Sequence, residues 1–258
     1  MNLDLKEEIL FAISRYDYAY AYKLAQQLIT GSSLLTKLLH ILAERRELNI
    51  LLAMDEELKT ALQTQSGFQL FCHTDLADEQ LANYLYDLEA KLRNEQIIDF
   101  VRAVSPAIYR IFMRLIKLEI PDIDHFIHNS REASYDRWKF ERMRESDYTV
   151  LQLFHAESTV NSSSLTELIL HLDLPESVKE EVRQLRELEK SVRNPLAHLI
   201  KPFDEAELYR TTGFSSQHFM EILVDLARFT GIVYDREHFY FDEANRLLRA
   251  LLIGEENG

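Results

Sequence analysis

Apolar residues recur every three or four positions along most of the chain, and this is the spacing of one face of an α-helix. Residues 4–30 predict two helices, and residues 33–64 continue as helix. Residues 75–120 predict a long helical stretch, which Pro106 is expected to break or kink. The clearest pattern follows Pro175, where five apolar residues form a single seam on an otherwise polar helix. These residues are Val178, Val182, Leu185, Leu188 and Val192.

The pattern allows strands in one segment, residues 232–241, where it predicts a short hairpin. Asp242 is then expected to cap a final helix that reaches Ile253. Glycine and proline make up only 11 of the 258 residues, against roughly 12% in average sequences. Because the turns of sheet proteins need these two residues, the composition argues against an all-β protein. The sequence therefore predicts an all-α fold with at most one short hairpin near residues 232–241.

Properties of the whole chain limit its class further. A net charge of −14 disfavours sequence-blind coating of nucleic acid, which depends on clustered Lys and Arg. Cys72 is the single cysteine, which excludes an internal disulfide framework and a thiolate-cluster metal site. No apolar run reaches the roughly 20 residues that cross a bilayer, and the acidic start Met1–Glu8 is unlike a signal peptide. We therefore expect a cytoplasmic protein with no membrane partner, forming a single domain over residues 1–258.

Residues 193–198, Arg-Asn-Pro-Leu-Ala-His, are the candidate for chemistry. Pro195 disfavours helical geometry at Asn194, so the long helix should end near Arg193 and a short helix should begin at Pro195. Asn194 is suited to cap that helix, and His198 falls in its first turn or just beyond. The helix N-terminus and the guanidinium favour a neutral, base-competent His198 and form a small site for an anion such as phosphate. A bend at Pro195 lets the Arg193 and His198 side chains converge.

The spacing of Arg193 and His198 is weak by itself, because about 0.7 such pairs are expected by chance in this composition. The full motif, Arg-Asn-x-x-Ala-His after a long helix in an all-helical chain, resembles that of HEPN ribonucleases. Two further segments are similar to the carboxy-terminal effector half of type III CRISPR-associated (Csm-type) CARF–HEPN ribonucleases. These segments are Tyr16-Asp17-Tyr18-x-x-Ala21 and Phe239-Tyr240-x-x-x-Ala244-Asn245.

The resemblance implies an HEPN-like helical domain, in which residues 60–160 are extra helices. Ribonucleases of this family usually carry an amino-terminal Rossmann-like (CARF) sensor domain that binds cyclic oligoadenylate. Nothing before Arg193 alternates strand and helix, so we expect no sensor domain in this chain.

The resemblance also implies a function: metal-independent endonucleolytic cleavage of single-stranded RNA in CRISPR-linked antiviral defence, without a cofactor. Two chains pair so that both Arg–His motifs face one cleft. His198 then helps activate the ribose 2′-hydroxyl, Arg193 stabilises charge on the phosphoryl oxygens, and Asn194 orients the pair. The products carry a 2′,3′-cyclic phosphate, and DNA is spared because it lacks the hydroxyl.

Two other functions fit the residues. In the first, the chain is a non-catalytic helical scaffold or protein-interaction module, and His198 is a structural histidine. In the second, it is the HEPN toxin of a toxin–antitoxin pair.

Other polar clusters receive structural interpretations. The Arg131–Arg144 segment mixes basic, acidic and aromatic residues, and it fits a solvated amphipathic face better than an RNA-binding one. Asp122, Asp124, His125 and His128 have the composition of a metal site but lack a partner motif. The pair Cys72-His73 has no evident third member of a catalytic triad.

Overall fold

A computed structural model describes residues 3–28, 33–53, 56–128, 136–193, 196 and 202–254 of the protein. Within these ranges the chain divides into two compact units. The terminal unit comprises Met1–Asn94 and Val233–Gly258, and the central unit comprises Glu95–Ile232. No helix in the described ranges is both long and apolar enough to cross a bilayer.

The terminal unit is a bundle of six α-helices in its described residues. They are α1 (Leu3–Ser14), α2 (Tyr18–Leu28), α3 (Leu34–Arg46), α4 (Glu56–Ser66), α5 (Leu76–Arg93) and α13 (Tyr240–Gly254), with a 3₁₀ turn at Ile50–Ala53. The first three helices pack in sequence, and α13 returns to pack against α1, α3 and α5. Ser33 caps α3 and Asp75 caps α5, each accepting backbone N–H bonds of the first turn.

The central unit is also helical. Its helices are α6 (Ile97–Glu119), α7 (Phe140–Arg144), α8 (Thr149–Gln152), α9 (Ser162–Leu170), α10 (Glu176–Leu188), α11 (Glu205–Thr212) and α12 (Ser216–Phe229). A 3₁₀ turn spans Ile123–Phe126, and a π-helical segment spans Glu189–Arg193. Helices α9 and α12 pack against the long α6, and α10 packs against α9 and α12. This arrangement places α10 and the segment that follows it against the core of the unit.

The all-α prediction is confirmed, but the strands lie elsewhere than predicted. Strands β1 (Ile127–His128) and β2 (Arg137–Trp138) form one antiparallel pair, with Ile127 opposite Trp138. The hairpin predicted near residues 232–241 does not form. Its aromatic residues favour a strand by propensity alone, but Asp235 accepts the N–H groups of Glu237 and His238 in a turn. Helix α13 then begins at Tyr240, ahead of the predicted cap at Asp242.

Two helix boundaries also differ from the prediction. Residues 33–64 are not one helix, because α3 ends at Arg46 and Leu48 adopts a left-handed backbone with a φ of 61°. Pro106 does not break α6, which is continuous over 23 residues from Ile97 to Glu119. Pro106 itself is exposed, so its ring projects away from the buried face of the helix.

Candidate active site

Helix α10 carries the seam predicted from the sequence and leads directly into the candidate motif. All five apolar residues of the seam are buried, and the opposite face is charged and exposed. After Leu188 the backbone changes from α-helical to π-helical and stays so from Glu189 to Arg193. Single π-helical turns inside α-helices are rare and occur frequently at functional sites.

The motif itself is described in part. Arg193 is the last described residue of the π-helical segment, and its side chain is half-buried. Leu196 is helical and only 2% exposed. Asn194, Pro195 and His198 lie outside the described residues. The cap at Asn194, the bend at Pro195 and the convergence of Arg193 with His198 therefore stay predictions.

Glu189 opens the π-helical segment, and the sequence analysis did not single it out. It is only 4% exposed, although it is an acidic residue. Its Oε2 lies 3.8 Å from Nη1 of Arg186, and within the described ranges this oxygen accepts no hydrogen bond. A signal was present in the sequence, because position 189 follows Leu185 by four and precedes Val192 by three. A charge therefore occupies a position of the buried seam.

The surroundings of α10 hold the segment in place. The π-helical segment packs against α6 and α11. One turn earlier, His218 of α12 donates from Nε2 to Oε1 of Gln184 at 2.8 Å. The His218 ring stacks on Phe214, with ring centroids 4.5 Å apart. Packing and polar contacts thus fix α10 on the side away from its charged face.

Most of the chain matches a known protein family. Residues 70–249 match the family model described as the Cas_Csm6 HEPN domain, and this range is well over half of the chain. The chain belongs to the Cas_Csm6 HEPN domain family. The matched range contains α10, the π-helical segment and the 193–198 motif of this Csm6 HEPN chain.

The fold of this Csm6 HEPN chain also occurs in a solved structure. The structure of Enterococcus italicus Csm6 bound to cyclic hexa-2'-fluoro-hexa-dAMP matches with a TM-score of 0.67 at 13% sequence identity. The match covers 96% of this chain and 56% of the Enterococcus italicus chain. The present chain therefore spans little more than half of that protein's length. No curated protein matches the chain.

The two terminal segments that resemble the Csm-type ribonucleases come together in the terminal unit. The Tyr18 hydroxyl donates to Oδ1 of Asn245 at 2.8 Å, and Nδ2 of Asn245 donates to the Ile13 carbonyl. The Tyr16 hydroxyl donates to Oδ1 of Asp242 at 2.8 Å. Burial and this hydrogen bond raise the pKa of Tyr16 to about 12. These segments join α13 to the first two helices, so their role in the structure is packing.

The pair Cys72-His73 belongs to a buried polar network rather than to a nucleophilic site. His73 donates from Nδ1 to Oε2 of Glu79 at 3.0 Å, while its Nε2 accepts the N–H of Val233 at 2.9 Å. Neither ring nitrogen of His73 is left to activate the thiol. Burial raises the pKa of Cys72, which disfavours the reactive thiolate. This geometry favours the structural interpretation.

The remaining polar clusters do not form a second site in the described residues. Trp138 of the basic segment is 5% exposed and donates from Nε1 to Oγ of Ser164, so its ring is not available to stack on a base. Residues 131–135 of that segment lie outside the described ranges. His125 is exposed, Asp122 is half-buried, and Nδ1 of His125 lies 3.8 Å from Oδ2 of Asp122. No group of three His, Cys, Asp or Glu side chains among the described residues is placed to hold a metal ion.

Proposed function

We propose that this chain is a CRISPR-associated endoribonuclease of the HEPN type, which cleaves single-stranded RNA without a metal ion. The observation that carries the proposal is the position of the Arg–x₄–His motif. Arg193 ends a π-helical turn that follows the amphipathic α10, within the range matched by the Cas_Csm6 HEPN family model. Membership of this family supports a CRISPR-linked role over that of a toxin in a toxin–antitoxin pair.

The proposed chemistry assigns a role to each residue of the motif. His198 accepts the proton of the ribose 2′-hydroxyl as a general base. The resulting oxygen attacks the adjacent phosphorus and the bond to the 5′-oxygen breaks. The leaving oxygen takes up a proton from water and His198 returns its proton to water, so the products are a 2′,3′-cyclic phosphate and a 5′-hydroxyl. Arg193 stabilises the charge on the phosphoryl oxygens with its planar fork of donors. Asn194 orients the pair, and DNA is not a substrate because it lacks the nucleophile.

The proposal extends to the organisation of the chain. We propose that residues 1–258 act as one HEPN-like domain, with residues 60–160 as additional helices. The family match supports this, because residues 70–249 include parts of both compact units. We further propose that two chains pair and contribute their motifs to one cleft.

The test is RNA cleavage by the purified chain in the presence of a chelator. Wild-type protein is expected to cleave a labelled single-stranded RNA, and the Arg193→Ala/His198→Ala variant is expected to be at least about 10²–10⁴-fold slower. Arg193→Lys keeps the charge but loses the fork geometry, so it should also be slower than wild type. Product analysis should find 2′,3′-cyclic phosphate ends, and a strand with deoxyribose throughout should remain intact.

A matched control removes the same residue types from exposed positions of the same unit. The Arg183→Ala/His171→Ala variant, prepared identically, is expected to cleave at the wild-type rate, because both side chains are exposed and lie outside the motif. Equal cleavage by the motif variant and the wild type would reveal a contaminating nuclease or a site elsewhere, and would contradict the assignment. No cleavage by any preparation would favour the scaffold function.

A further inference from the structure

The buried carboxylate of Glu189 stands out in a region that is otherwise apolar. Buried polar atoms are almost always hydrogen-bonded, and a buried acceptor without a partner destabilises the fold. Glu189 is 4% exposed, and its Oε2 accepts no hydrogen bond within the described ranges. An apolar residue at this seam position would pack without that penalty. The ion pair with Arg186 offsets only part of this cost, because its 3.8 Å separation is longer than a hydrogen bond.

The sequence position of Glu189 places it one helical turn before Arg193, the arginine of the motif. Residues three or four apart on a helix lie next to each other on its surface. Arg186 precedes Glu189 by three residues and lies 3.8 Å from its Oε2, while Arg193 follows Glu189 by four. Four residues are close to one turn of either an α-helix or a π-helix, so Arg193 is the neighbour of Glu189 one turn further along.

The backbone gives a second, independent indication. The segment that begins at Glu189 and ends at Arg193 is π-helical, a rare geometry that is frequent at functional sites. It packs against α6 and α11, which restrain it on two sides. A carboxylate oxygen that accepts no hydrogen bond within the described ranges and a π-helical backbone thus occur in the same turn, directly before the motif.

We infer that Glu189 is a positioning residue for Arg193. Its buried negative charge restrains the guanidinium, so that the fork of donors is oriented before the phosphate arrives. This inference rests on the proposed function, because it acts through Arg193. Misplacement of a group that stabilises the transition state slows turnover more than it weakens substrate binding.

The experiment compares Glu189→Gln with wild type in the RNA cleavage assay. Glu189→Gln keeps the shape of the side chain and removes its charge, and it is expected to lower kcat between about 10- and 100-fold with KM within about twofold. Glu189→Asp keeps the charge and should retain more activity than Glu189→Gln. Glu187→Gln removes the same charge from an exposed position two residues away and is expected to match wild type.

A double-mutant comparison identifies the residue through which Glu189 acts. When the arginine is already altered by Arg193→Lys, adding Glu189→Gln should change kcat by less than about twofold, because the effects of residues that act as a unit are not additive. Full multiplication of the two effects would overturn the inference. An unchanged kcat in Glu189→Gln would also overturn it, while leaving the proposed function intact.

Thermal unfolding separates positioning from support of the fold. Glu189→Gln and Glu189→Met are expected to keep the unfolding midpoint within about 3 °C of wild type, because the ion pair with Arg186 that they remove is long, at 3.8 Å, and functional residues commonly reduce stability. If both variants lost activity only in proportion to a lower midpoint, Glu189 would be a structural residue and the inference would be wrong. A wild-type chain that leaves the RNA intact would contradict the proposed function itself.

Discussion

A single carboxylate, Glu79, holds the loop before α5 to the rest of the terminal unit. Its Oε1 accepts from Nη2 of Arg45 at 2.6 Å, and both side chains are at most 1% exposed. Its Oε2 accepts the backbone N–H groups of Cys72 and His73, each at 3.0 Å, and also the ring N–H of His73. Arg45 in turn donates to the Leu70 carbonyl at 2.9 Å. One side chain therefore satisfies four donors at buried and part-buried positions.

Removing the charge of Glu79 is expected to destabilise the protein strongly. Glu79→Gln leaves Arg45 as a buried cation without its counter-ion, and breaking a buried pair in this way lowers the free energy of unfolding by about 3–5 kcal/mol. Urea denaturation followed by circular dichroism measures the change. Glu57→Gln, at an exposed position of α4, is the control and should stay within about 0.5 kcal/mol of wild type. A loss below about 1 kcal/mol in Glu79→Gln would show that the network is not important for stability.

At the scale of the element, helix α6 contains a residue that disfavours helical geometry. Pro106 lies in the middle of a 23-residue helix, where it provides no N–H for the carbonyl one turn earlier. The helix persists because the residues on its other face are buried against neighbouring helices. These residues include Phe100, Val104 and Ile111. Tertiary burial thus outweighs the local preference that led us to expect a break.

Pro106→Ala is therefore expected to stabilise the protein. Proline is about 3 kcal/mol less favourable than alanine in a helix interior, so we expect a gain of about 1–3 kcal/mol, measured as a higher urea midpoint. Arg102→Ala, exposed one turn earlier on the same helix, should change stability by about 0.5 kcal/mol or less. A lower stability for Pro106→Ala would mean that α6 depends on the geometry that proline imposes.

The same balance explains which elements the sequence could predict. The seam of α10 was predictable because, in an amphipathic helix, the spacing of the apolar residues identifies the buried face directly. The end of α3 was not, because Leu48 takes a left-handed backbone without a glycine or asparagine to signal it. The prediction of strands over residues 232–241 was wrong because strand propensity largely measures how well a side chain suits burial. Phe239, Tyr240 and Phe241 are indeed buried, but Phe239 directly precedes α13 and the other two lie in its first turn.

For the site, the sequence supplied residue types, and the structure supplied their environment. The motif at 193–198 was identified from its residue types and spacing and from its resemblance to a family. The match over residues 70–249 confirms the family. Glu189 was missed because a charge in an amphipathic helix is normally assigned to the solvated face. Its place in the apolar spacing, four residues after Leu185, was a signal in the sequence, and burial and the π-helical backbone then set it apart. The catalytic roles of Arg193, Asn194 and His198 stay predictions.

At the scale of the whole molecule, the proposed cleft is formed by two copies of the chain. Mixing experiments can test whether cleavage requires an intact motif in both copies. A closed two-fold dimer brings the same surface of each copy together, so two motifs placed near the axis share one cleft. Light scattering should give the mass of a dimer. Wild-type chains are then mixed with the Arg193→Ala/His198→Ala variant in several ratios, including equal amounts, at a constant total concentration. Differently tagged chains report the exchange of subunits.

The dependence of activity on the wild-type fraction distinguishes a shared cleft from independent sites. If each cleft needs both motifs intact, an equal mixture retains about a quarter of the activity, because only about a quarter of the dimers are wild type on both sides. If each copy acts alone, about half remains. Mixing with the Arg183→Ala/His171→Ala control should cause no loss. A linear decline, or a chain that stays monomeric while cleaving RNA, would contradict the shared cleft and would require each motif to work within its own copy.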